Sequence, residues 1–132
     1  MNFIQDKYAE EGKRIFMVYG IDNPEESLDI KRLFLITDDY ERAIHVIKNN
    51  VTDIAENGYY PYMLLQPIIF DEMYPEQDSI QIYRWSRKTD IFYHVGHRAM
   101  MLCSENSEDE DWIAYDKPEY KNYKGDIADF FE

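Results

Sequence analysis

The spacing of apolar positions changes along this chain, and each spacing predicts an element. Residues 14–21, RIFMVYGI, are a nearly unbroken β-branched and aromatic run, which predicts a largely buried strand. NPEESLD then brings Pro24 and a cluster of carboxylates, the composition of a loop. KRLFLIT, residues 31–37, predicts a second strand. Beyond it the period lengthens. Tyr40, Ala43, Ile44, Ile47, Val51, Ile54 and Ala55 follow one another mainly at steps of three and four, forming one apolar stripe on a helix of about five turns. Asp38, with Glu41 three residues later, matches a capping box at its start. Asn49 and Asn50 mark a bend, and Gly58 is placed to end it.

In residues 59–70 both alternating faces are apolar. The pattern predicts a strand that is covered on both sides or shows aromatics to a partner. Pro61 and Pro67 lack the N–H a ladder needs and so point to an edge position or a bulge. IQIYRW and IFYHV, joined by SRKTD, predict a β-hairpin with a longer loop. RAMMLCS, residues 98–104, extends that meander or opens a short helix, and residues 1–13 are polar, with Phe3, Ile4 and Tyr8 spaced for one helical turn. The expected fold class is α+β: a small, mainly antiparallel sheet of about five strands on one main helix, in the order ββαβββ.

From Glu105 the composition turns to carboxylates interleaved with Trp112, Tyr115, Tyr120 and Tyr123. Residues 1–104 therefore read as the α+β domain, and 105–132 as an acidic, aromatic-rich segment expected to dock on it. Ile127, Phe130 and Phe131 would form a closing helical turn. The run DIAENGYYPYMLLQPI, followed by MYP and IYRW, resembles small bacterial and phage proteins that carry D-I-x-E-x-G-Y-Y-x-Y, a Tyr-Pro and an aromatic strand. The resemblance spans roughly residues 33–95 and implies a bacterial or mobile-element origin. It implies no catalytic residues.

Charge narrows the function classes. Across 132 residues, 14 Lys and Arg stand against 27 Asp and Glu, a net charge of −13 that repels phosphate backbones and anionic membranes. Direct nucleic-acid and membrane binding are thus disfavoured, and a protein partner with a basic surface is favoured. Apolar residues at 45% and aromatics at 16% are enough to drive folding of one domain. The single Cys103 forms no intramolecular disulfide, the N-terminal residues lack an apolar leader core, and no apolar window reaches membrane-span length, so a cytoplasmic location is expected. In that setting the Asn50-Val51-Thr52 sequon is a coincidence of composition.

The chemistry-bearing residues form no recognisable apparatus. His94, His97 and Cys103 are of zinc-binding types, but on an extended strand residues three apart point to opposite faces. Cys103 lies in MMLCS, a packing environment without the glycine-lined turn of an oxyanion site. The carboxylate groups Asp38/Asp39, Asp71/Glu72 and Asp109/Glu110/Asp111 follow no EF-hand order, and no phosphate loop, nucleophile elbow or dinucleotide fingerprint is present. Neither catalytic residues nor a cofactor is expected.

Tyr59, Tyr60, Tyr62, Tyr83, Trp85, Phe92 and Tyr93, near Arg84, Arg87, Lys88 and Arg98, have the composition of a base-stacking sheet, a reading the overall charge opposes. The leading expectation is a binding protein that sets Glu108, Asp109, Glu110, Asp111, Trp112 and Tyr115 against a basic site of a nucleic-acid-handling protein. A defence nuclease blocked in the anti-CRISPR manner is the concrete case. The alternatives are a small enzyme or ligand-binding protein for a nucleotide or other metabolite, and a homo-oligomer paired through residues 59–70.

Overall fold

The computed structural model describes residues 14–69, 79–97 and 130–131. Five strands form one antiparallel sheet: β1 (Arg14–Ile21), β2 (Arg32–Thr37), β3 (Tyr62–Ile69), β4 (Gln81–Ser86) and β5 (Ile91–His97), in the spatial order β2-β1-β3-β4-β5. Among the described residues one full α-helix, α1 (Tyr40–Lys48), lies between β2 and β3 in the chain, which gives the expected ββαβββ order.

Alternation along the strands divides the core in two. Val18, Met63, Leu65, Tyr83, Trp85 and Phe92 pack under the helix with Ala43, Ile47, Ile54 and Ala55. Tyr19, Ile21, Leu64, Ile82 and Val95 pack on the other face with Ile80, Phe130 and Phe131. β3 is thus covered on both faces. It is also central, paired with β1 along Tyr62–Ile69 and with β4 along Tyr62–Leu65, so the edge position does not hold. Pro67 is tolerated because the β4 ladder stops with Leu65 opposite Gln81, leaving Pro67 beyond it with a strand partner on the β1 side only.

The helix is shorter than its apolar stripe. It covers nine residues and is capped one position later than expected: Asp39 is extended, and its Oδ1 accepts from the Arg42 N–H at 3.2 Å. Thr37 Oγ1 takes the Asp39 N–H, so Asp38 is left as the link from β2. At the far end Asn50 turns left-handed (φ 47, ψ 48). Val51–Asp53 form a 3-10 turn, and Ile54 and Ala55 rejoin the stripe through turns instead of helix. A periodic stripe reports a shared buried face, and a turn in the middle can serve that face as well as a continuous helix.

Tyr19, only 2% exposed, donates from its hydroxyl to Gln66 Oε1 at 3.3 Å. Burial pushes its phenol up to about 12, and the charge of Asp29 adds to the effect. The fold favours the neutral phenol up to about pH 12, while the unfolded chain ionises near pH 10. Stability therefore stays intact below about pH 10 and falls by about 2 to 3 kcal/mol as pH rises towards about 12. Urea midpoints measured from pH 8 to 12 should show this loss in the native chain and a shallower one in Tyr19→Phe; equal slopes in the two would refute it.

Candidate functional site

The acidic and aromatic residues expected to meet a partner, Glu108, Asp109, Glu110, Asp111, Trp112 and Tyr115, lie outside the described residues, as does Cys103. The sequence shows how the charge is partitioned. Residues 1–104 carry 11 Lys and Arg against 17 Asp and Glu, a net −6 out of the −13 of the whole chain. Residues 105–132 carry three Lys against ten Asp and Glu, a net −7. Excess negative charge per residue is thus several-fold denser in residues 105–132 than in residues 1–104, which contain the folded body.

The acidic run is joined to this body at both ends. It follows β5, and it ends at Phe130 and Phe131, which are helical and buried on the sheet face opposite α1. Ser86 Oγ donates to the Phe130 carbonyl, and the Tyr93 ring meets Phe130 edge-on at 4.9 Å and Phe131 at 6.1 Å. Ile127, the third residue of the expected closing turn, is outside the described residues.

A cleft of about 480 Å³ opens at the end of β4. Three parts of the fold build it. The turn after α1 brings Asn57 and Gly58, the entry to β3 brings Pro61 and Tyr62, and the end of β4 with its turn brings Arg84, Trp85 and Arg87. Phe131 closes one side. The Trp85 N–H donates to the Pro61 carbonyl at 2.9 Å, fixing β4 against the β3 entry. Gly58 passes directly over the indole: its φ is +94, and a Cβ there would lie 2.9 Å from Cζ3 of Trp85.

One polar network holds the cleft wall. Trp85 Nε1 donates to Asp90 Oδ1 at 2.8 Å. Asp90 is left-handed (φ 57) and closes the four-residue β4–β5 turn by donating its N–H to the Ser86 carbonyl at 2.8 Å. Asn50 Nδ2 donates to both Asp90 Oδ1 and the Asp90 carbonyl at 3.2 Å, while Asn50 Oδ1 accepts from the Ala55 N–H at 2.9 Å. The sequon asparagine is therefore a buried structural link.

The histidine pair behaves differently from a regular strand. Tyr83 pairs with His94, Ile82 with Gly96 and Gln81 with His97, so Val95 is an extra residue in a β-bulge. The bulge resets the alternation and brings His94 and His97 together on the helix side, with ring centroids 5.0 Å apart, correcting the expectation of opposite faces. His94 Nε2 donates to the Gly96 carbonyl at 2.9 Å, and its ring lies 5.0 Å from that of Tyr83. Tyr83 in turn donates to Gln81 Oε1 at 2.7 Å. Among the described residues no group of three His, Cys, Asp or Glu could hold a metal ion.

The aromatics with the composition of a base-stacking sheet do not share one surface. Tyr83, Trp85 and Phe92 are buried under the helix, Tyr62 and Tyr93 belong to the other face, and Tyr60 packs edge-on with Phe34 and Tyr59 over the bare backbone of Gly20. The pairing of Arg84 with Arg87 around Trp85 was visible in the sequence. Its convergence with Gly58 and Phe131 was not, because neither is near it in the chain. Among the described residues no helix is long and apolar enough to cross a membrane. Comparison with protein-family models, with curated proteins and with solved structures gives no match for this chain.

Proposed function

We propose that this chain is a non-enzymatic, cytoplasmic binding protein that sets its acidic, aromatic run against a basic site of a nucleic-acid-handling protein and blocks it, as anti-CRISPR and other anti-defence inhibitors do. The distribution of charge carries the reading: residues 105–132 hold −7 with four interleaved Trp and Tyr residues, against −6 spread over residues 1–104. The density of charge in this run would make it the main source of steering, and the aromatics would supply contact area. The burial of Phe130 and Phe131 supports it further, since a run joined to the fold at both ends loses less entropy on binding than a free tail.

The test is capture from a bacterial lysate at low salt, followed by reconstitution with the purified partner. The partner should be a nucleic-acid-binding protein whose nucleic acid competes with this chain. Affinity should fall steeply between 50 and 300 mM salt, since screening shortens to about 8 Å at physiological ionic strength. Neutralising Glu108, Asp109, Glu110 and Asp111 together to their amides should weaken binding on the order of tenfold or more, mostly through slower association. Binding indifferent to both salt and this variant would sink the proposal.

A further inference from the structure

We propose that the cleft at the end of β4 binds a small ligand that joins a phosphate to a planar ring, of mononucleotide size. The site shares Phe131 with the end of the acidic run, but the proposal does not rest on the reading of that run.

Arg84 is the first reason. Its guanidinium lies 4.8 Å from the centroid of the Phe131 ring and 5.8 Å from that of Tyr62. Cation–π contacts of this kind hold a guanidinium by its charge and use none of its five N–H donors as hydrogen bonds to an acceptor oxygen. Among the described residues, neither Arg84 nor Arg87 has a hydrogen-bond or ion-pair partner for those donors. Two positioned guanidinia, one held by its stack and one at the rim, are suited to a group with several anionic oxygens, which phosphate offers and which arginine grips bidentately.

The surroundings define the rest of the ligand. The cleft volume of about 480 Å³ suits a small organic molecule. Tyr62, Trp85, Phe131 and Pro61 give it apolar walls that an inorganic anion would leave uncovered, and rings are the moiety such walls bind best. A cationic ligand is disfavoured at this end of the sheet. Asp90, the carboxylate of the adjoining turn, is already engaged by Trp85 and Asn50, while Arg84 and Arg87 line the cleft. A neutral apolar ligand would cover the arginine donors and leave them without acceptors.

The experiment is a titration of the isotope-labelled full chain with the four common 5′-mononucleotides, with adenosine and with inorganic phosphate, followed through the indole N–H signal of Trp85 and the side-chain signals of Arg84. At least one mononucleotide should shift these signals saturably, and adenosine and inorganic phosphate should each bind at least tenfold more weakly. Arg84→Met should weaken mononucleotide binding at least tenfold. Arg84→Lys should recover only part of it, because lysine keeps the charge and loses the planar fork. Arg87→Met, at an exposed position, should weaken it several-fold with the urea midpoint unchanged, which guards against misreading an unfolded Arg84 variant. No saturable shift with any mononucleotide at millimolar concentration overturns the proposal. So does binding that both arginine variants leave intact, or inorganic phosphate binding as tightly as the mononucleotides.

Discussion

Asn50→Ala should be among the most destabilising single substitutions in this protein, lowering the unfolding free energy by about 3 kcal/mol. Three losses combine at one residue that is only 7% exposed. Alanine in the left-handed conformation that Asn50 adopts (φ 47, ψ 48) costs about 1 kcal/mol. The Ala55 N–H loses its acceptor, Asn50 Oδ1, and an unsatisfied buried donor costs about 1 to 3 kcal/mol. Asp90 loses the amide donor that balances its carboxylate while it holds the Trp85 indole. Asn50→Gly separates the terms: it relieves the backbone cost, leaves the hydrogen bonds broken, and should recover about 1 kcal/mol. Asn50→Asp keeps the acceptor for Ala55 but turns a third carboxylate towards those of Asp53 and Asp90, so its deficit should shrink as pH falls through the carboxylate range. Urea denaturation of the three variants at pH 7, and of Asn50→Asp down to pH 4, measures all of this. An Asn50→Ala variant within 0.5 kcal/mol of the native chain would show that the network is not a stabilising link.

The same residue marks how far the sequence could be read. Local periodicity sufficed for all five strands and for the position of the helix, because residues such as Val18, Leu64 and Phe92 are buried by alternation whichever strands they pair with. It failed where a side chain some forty positions away decides the backbone. Asn50 leaves the helix because Asp90 and Ala55 satisfy its amide, and no window of sequence around it contains Asp90. Pro67 misplaced β3 because the rule about proline in sheets refers to the local ladder, and the ladder from β4 ends before it. The bulge at Val95 brought two histidines together that strict alternation would separate. The acidic run was legible as composition, whereas the cleft needed four separate stretches of chain to meet, of which only Arg84-Trp85-Ser86-Arg87 announced itself.

Phe131→Ala is the second large effect, expected to cost about 3 to 4 kcal/mol, within the range for emptying a buried phenylalanine site. The ring is 3% exposed. It packs edge-on against Phe130 at 5.1 Å and against Tyr93 at 6.1 Å, and it carries the Arg84 guanidinium on its face. Phe131→Leu fills most of the volume, loses the aromatic contacts, and should cost about 1 to 2 kcal/mol. The two variants also divide the functional readings. Alanine removes the anchor at the far end of the acidic run without altering its charge. If that anchor pre-orders the run, partner affinity should fall while its salt dependence stays unchanged, the reverse of what neutralising Glu108 to Asp111 would do. Leucine should retain the anchor and the partner affinity yet weaken the Arg84 cleft, because the guanidinium loses one of its two aromatic contacts. Urea midpoints, partner titrations at two salt concentrations and the Trp85 indole signal report these outcomes separately. A Phe131→Ala chain that loses less than about 1 kcal/mol would mean that the Phe130–Phe131 turn is laid on the sheet without being held there.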